Sequence, residues 1–76
     1  MKELVEFLAR ELVDDPDAVR VTEEADERGL LITVRVGPDD MGKVIGKGGR
    51  TAKAIRTVVR AAATRRRIEV RVDIAD

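Results

Sequence analysis

The stretch Val44-Ile45-Gly46-Lys47-Gly48-Gly49-Arg50 constrains this chain more than any other, because three glycines and two cations stand between two segments with helical periodicity. A corner of this kind makes the second helix start close to where the first one ends. One glycine in the left-handed conformation is enough for a tight helix-to-helix turn. Two more glycines, with Lys47 and Arg50 beside them, suit a second use. They give a ligand close access to the backbone, at a helix start whose free N–H groups and partial positive charge attract an anion. Both readings, a plain turn and an anion-binding corner, fit the local sequence.

Charge patterning favours the anion. The net charge is zero, but residues 1–40 carry five Lys/Arg against twelve Asp/Glu, and residues 41–76 carry ten against three. The two parts therefore stand at −7 and +7. From Met41 to Arg67 there are nine cations and no acid. Solvated surfaces mix their signs, so an acid-free stretch of this length reads as a face for phosphates or nucleic acid.

The 76 residues hold one domain, 1–76, with a core that is only marginally self-sufficient. Dimerisation or a larger partner is expected to support it. The absence of cysteine and histidine excludes disulfides, thiolate chemistry and the usual zinc sites, so no metal and no cofactor is expected. No apolar run approaches the ~20 residues of a membrane span, and the N-terminus lacks the order of a secretory signal. No membrane association is expected, and the location is expected to be cytoplasmic.

Leu4, Phe7, Leu8 and Leu12, with Val5 and Val13, recur at helical spacing until Asp14-Asp15-Pro16, which predicts a first helix of about twelve residues. Phe7 falls at a core-like position on it. Val19 and Val21 alternate with polar residues; the polar stretch from Glu23 to Gly29 then leads into Ile32, Val34 and Val36, a hairpin with one buried face. Gly37-Pro38 stops the second strand, and Asp39 or Asp40 is placed to cap a short helix over Met41–Ile45. Arg50 to Thr64 reads as an amphipathic helix with Ile55, Val58, Val59 and Ala62 inward and a basic ridge of Lys53, Arg56 and Arg60. After Arg65-Arg66-Arg67, the residues Ile68, Val70, Val72 and Ile74 alternate with polar ones as a strand with one wet face. The order α-β-β-α-α-β predicts an α+β fold, a three-stranded sheet with helices packed on one face.

Rival motifs fail on particular residues. Gly37 to Lys43 matches the first seven positions of a nucleotide-binding P-loop, but Val44 replaces the magnesium-binding hydroxyl, and Asp39 and Asp40 would repel phosphates. Thr51 breaks the third glycine of a dinucleotide fingerprint. Without His, Cys or Ser, and with its acids explained as helix stops and caps, the chain is not expected to be an enzyme. Phe7 is the only aromatic residue, so base stacking on exposed rings is not expected either.

Val44-Ile45-Gly46-Lys47-Gly48-Gly49-Arg50 followed by Ala54-Ile55 resembles the signature of a KH domain, in which a GXXG loop, here 46–49, joins two helices. The element order resembles the type II topology. Over essentially its full length the chain is similar to the KhpA family of bacterial single KH-domain RNA-binding proteins. This resemblance implies binding of single-stranded RNA, about four nucleotides of which such a loop clamps. It also implies an RNA chaperone or post-transcriptional regulator linked to cell shape, acting as a homodimer or as a heterodimer with a KhpB-like KH protein. Carried over by residue, Gly46, Lys47, Gly48 and Gly49 would face the sugar-phosphate backbone, and Arg50 and Lys53 would flank it. Val44, Ile45 and Ile55 would support the loop and its aliphatic groove, with core packing as the more ordinary role of Ile55. Arg65 to Arg67 fit either an extension of the path or a solvated turn. A different class of function also fits the scaffold: a dimerisation module with a vestigial loop.

Overall fold

The computed structural model describes residues 1–76. The first helix, α1 (Lys2–Leu12), buries Val5 and Ala9 with Leu8 packed beside them. Phe7 does not join the core, contrary to the sequence expectation, and is 60% exposed. At ~100° per residue Phe7 sits ~160° around the helix from Val5, so an inward Val5 turns Phe7 outward. Apolar residues on α1 are more numerous than the sheet can cover.

The hairpin is β1 (Arg20–Asp26) and β2 (Gly29–Arg35), antiparallel, with Val21 opposite Val34 and Asp26 opposite Gly29. The first strand thus runs on through Glu23–Asp26, where the side-chain pattern had suggested a connection, and the turn is only Glu27-Arg28. Backbone pairing to the central strand rewards this extension even though those side chains stay in water. The Asp26 carboxylate closes the turn by accepting the Arg28 N–H at 2.8 Å.

The chain then passes through α2 (Met41–Ile45) and α3 (Arg50–Arg66) to β3 (Val70–Ala75), which lies parallel to β2. The strand order is β1-β2-β3. Val21, Ile32, Val34, Val70 and Val72 form the buried sheet face, while Arg20, Thr22, Arg35 and Asp73 on the other face are in water or half-covered at most. Helices cover only the apolar side, as the α+β reading requires. Every residue of the main core is Val, Ile or Ala.

Three details differ from the sequence expectation. On α3 the buried stripe is Ala52, Ile55, Val59 and Ala63, while Val58 is 47% exposed and Ala62 only partly covered. The helix runs two residues beyond Thr64, and Ile68, expected to point inward, precedes the strand and is 38% exposed. Asp40 precedes α2 but makes no side-chain cap. Instead its carboxylate, 4% exposed, accepts the Asp14 and Asp15 N–H groups, both at 3.1 Å. The short helix is tied by this clamp to the end of α1. A five-residue helix has little stability of its own, so the clamp and the buried Val44 fix its direction.

Candidate nucleic-acid interface

The loop begins where α2 ends. Gly46, at φ 78° and ψ 167°, donates its N–H to Gly42 O at 2.8 Å, and Gly49 donates to Gly46 O at 3.1 Å. A Cβ at Gly46 would lie 2.7 Å from Thr51 Cβ and 2.8 Å from Thr51 N, so this glycine is required by the packing of the loop onto α3. Gly48 and Gly49 have φ of 65° and 78° with nothing within 4 Å of a Cβ position. Their conformation alone therefore explains why glycine is used, which takes the surplus of glycines away as an argument for a ligand. What remains is their openness: the backbone at 48–49 is reachable from outside.

Charge surrounds that open backbone. Lys47, Arg50 and Lys53 are exposed, and none of them takes part in an ion pair. Lys43, on α2, differs. It pairs with the Asp14 carboxylate and lies 3.9 Å from Asp40, and the hydrogen bond it donates to Asp14 raises its pKa. The acids near the loop are thus committed to Lys43, leaving the three cations beyond it free for an external anion.

Of the residues expected to bind, the structure brings Gly46–Gly49, Arg50 and Lys53 together at the start of α3. Ile45 is half-buried beside them. Val44 is fully buried in the core beneath the loop.

A further set was missed as a site. Between α3 and β3 runs a groove lined by Arg56, Arg60 and Arg71 over Val70 and Val72. Arg56 does not stand freely on a ridge as its helical position suggested; its Nε donates to Val72 O at 3.1 Å, across the edge of the sheet. Arg71 pairs with Asp26 through one guanidinium nitrogen, while its buried Nε has no partner. The sequence signal for Arg56 and Arg60 was their shared helical face. Arg71, read as the wet side of a strand, gave none.

On its other side α3 faces α1 across an apolar hollow lined by Phe7, Leu8, Leu12, Ala54 and Val58. No helix is long and apolar enough to cross a membrane.

A family model described as KhpA/KhpB, KH domain, matches residues 2–74. The chain is 62% identical over 76 residues to the RNA-binding protein KhpA of Halalkalibacterium halodurans, covering all of both chains. It is 55% identical over 74 residues to that of Clostridium perfringens, covering 97% of this chain and 99% of the relative. With the protein of the same name in Streptomyces coelicolor it shares 50% over 76 residues, 100% of this chain and 92% of the relative. Topology, glycine loop and these full-length matches agree, and the chain belongs to the KhpA/KhpB family of KH domains.

Proposed function

We propose that this chain is one KH domain that binds single-stranded RNA, with the sugar-phosphate backbone crossing the open face of Gly48 and Gly49. The observation that carries the reading is the exposed glycine backbone flanked by three cations, Lys47, Arg50 and Lys53, that have no acidic partner in the chain. Folding does not use those charges. The relatives bearing the name RNA-binding protein support the same assignment. With one exposed aromatic ring, Phe7, on the far side of α3 from the basic groove, recognition rests on backbone contacts, cations and aliphatic surface. A lone loop holding about four nucleotides has few base edges to read, so sequence preference is weak. The chain works as a binding protein without a catalytic step, as an RNA chaperone or post-transcriptional regulator in the cytoplasm.

The test is Lys47→Asp combined with Gly48→Asp, which keeps Gly46 and Gly49 and sets two carboxylates against the phosphates. RNA affinity is expected to fall at least tenfold, ~1 to 3 kcal/mol by the scale of charge-assisted contacts and like-charge placement. Gly48 has ψ 19° with open space around it, and aspartate tolerates the left-handed region better than most residues. Stability is therefore expected to drop by no more than about 1 kcal/mol. Fluorescence anisotropy and thermal unfolding on the same variant check both. A folded variant that binds RNA like the parent removes the loop from the site.

A second reading is favoured by the apolar hollow. Phe7, Leu12 and Val58 are exposed side by side between α1 and α3, beyond what a monomer needs. They suit self-association or pairing with a KhpB-like KH protein, and a dimer is compatible with RNA binding because the hollow and the basic groove lie on opposite flanks of α3. If the loop variant keeps its RNA affinity while changes at Val58 abolish association, the KH fold serves here as an interaction module.

A further inference from the structure

The glycine loop hangs on a short element with few attachments of its own. Val44 is the one buried residue of α2, and a five-residue helix resting on one buried side chain is free to pivot about it. Asp40, directly before α2, is the second attachment, 4% exposed. Each of its carboxylate oxygens accepts a backbone N–H from the segment that follows α1: Asp14 N–H reaches Oδ1 and Asp15 N–H reaches Oδ2, both at 3.1 Å. Lys43 ties α2 to the same segment through the Asp14 carboxylate. An aspartate at this place ordinarily caps its own helix. A cap would stabilise α2 without deciding where it points, whereas bonds to a segment so distant in the chain decide its direction.

That direction reaches the loop through a continuous run of bonds. Gly46 N–H donates to Gly42 O inside α2 at 2.8 Å, and Gly49 N–H donates to Gly46 O at 3.1 Å. On its other side Gly46 packs so closely that a β-carbon there would lie 2.8 Å from Thr51 N. A swing of α2 therefore carries Gly46 with it and moves the open backbone at 48–49 relative to Arg50 and Lys53 on α3.

We propose that Asp40 is a positioning residue for RNA binding: by clamping α2 to the Asp14 and Asp15 amides it holds the glycine loop in place against the cations of α3, and RNA bound at the loop tightens the clamp in return. The inference rests on the RNA-binding reading above and adds to it a residue that touches no RNA. Its sign separates it from electrostatics. Asp40 is an acid in the element that leads into a basic loop, so by charge alone its neutralisation favours phosphate binding. As a positioning group, its loss weakens binding. Reciprocity follows from linkage, since a clamp that raises RNA affinity by some factor is itself strengthened by RNA through the same factor.

The test measures binding of fluorescein-labelled octauridylate by anisotropy for the full chain and three variants, at a temperature below every melting transition. Asp40→Asn keeps the size of the side chain but replaces one acceptor oxygen with an NH2 group, which meets a backbone N–H donor to donor. It is expected to bind about fivefold or more weakly than the parent. Asp39→Asn removes the neighbouring exposed acid, which takes no part in the clamp, and is expected to bind as the parent does or up to about twofold more tightly. Lys47→Glu is expected to abolish binding. Parent-like or tighter binding by Asp40→Asn, with Lys47→Glu still defective, would overturn this inference alone. Binding untouched by Lys47→Glu, or no binding by the parent, would bring down the loop reading and this one with it. Amide hydrogen exchange in the parent decides the matter even where Asp40→Asn does not fold. Saturating octauridylate is expected to slow the Asp14 and Asp15 amides about fivefold, while the Val19 N–H, held by Pro16 O and not by Asp40, is unchanged. Unchanged exchange at Asp14 and Asp15, or equal slowing at all three amides, would overturn the proposal.

Discussion

The two flanks of α3 differ in kind although a single helix supplies both. Val58 and Arg60 sit ~100° to either side of the fully buried Val59. Toward β3 the helix presents Arg56 and Arg60; toward α1 it presents Ala54 and Val58. The stripe between them, Ala52, Ile55, Val59 and Ala63, is the part of the helix buried in the core. Arg56 is tied to the sheet through Val72 O, but Arg60 on the same flank has no partner and Val58 on the other is 47% exposed, so these two contribute little to the stability of a lone chain. In the proposed reading the basic flank is the route for RNA and the apolar flank the place for a protein neighbour.

The largest effect is expected where both flanks rest on the same side chain. Val59→Ala removes two carbons from a fully buried position, which should cost about 2 kcal/mol from lost transfer energy and the cavity left behind. In a core of small side chains there is little slack to refill it. Denaturant unfolding of this variant measures the loss, and a change under about 0.5 kcal/mol would mean that the helix does not depend on this stripe.

Next come paired substitutions that separate the flanks. Val58→Lys should change stability by no more than about 0.5 kcal/mol, because the residue is 47% exposed, while abolishing any dimer seen by sedimentation and sparing RNA affinity. Arg60→Glu should do the reverse, weakening RNA binding about tenfold by placing an acid in the groove, with self-association intact. If either substitution disturbs both readouts equally, the flanks are not independent.

Much of this division was legible in the chain itself. The glycine corner, the acid-free run from Met41 to Arg67 and the alternation in the strands lead to the fold and to most of the loop site. What stayed hidden depended on contacts between distant segments. Periodicity shows that α1 is apolar but not which residues the sheet covers, so from periodicity alone Phe7 reads as a core residue. The clamp from Asp40 to the Asp14 and Asp15 amides joins residues about 25 positions apart, and locally Asp40 looks like any helix cap. Likewise β1 runs on through polar residues because β2 offers hydrogen bonds, a reward that side-chain alternation does not record. Arg71 entered the groove only when β3 was set beside α3.

The smallest expected effect refines the basic flank. Asp26, at the end of β1, pairs with Arg71 and accepts the Arg28 N–H, and these bonds, the backbone one first, lower its pKa from the ordinary 3.8. A carboxylate with a depressed folded value stabilises the fold at every pH above its unfolded value, and that contribution disappears as pH falls through the folded value. Asp26→Asn should therefore lower the melting temperature slightly and by a constant amount from neutral pH down to about pH 5. Below 3.8 the gap between parent and variant should close, because the parent's own carboxyl becomes neutral. The site is exposed and screened, so added salt should narrow the gap at neutral pH as well. Thermal melts of both proteins from pH 2.5 to 7 would trace it. A gap that persists at the lowest pH would assign the effect to the shape and packing of the turn rather than to the charge of Asp26, and Arg71 would then be held in the groove by packing alone.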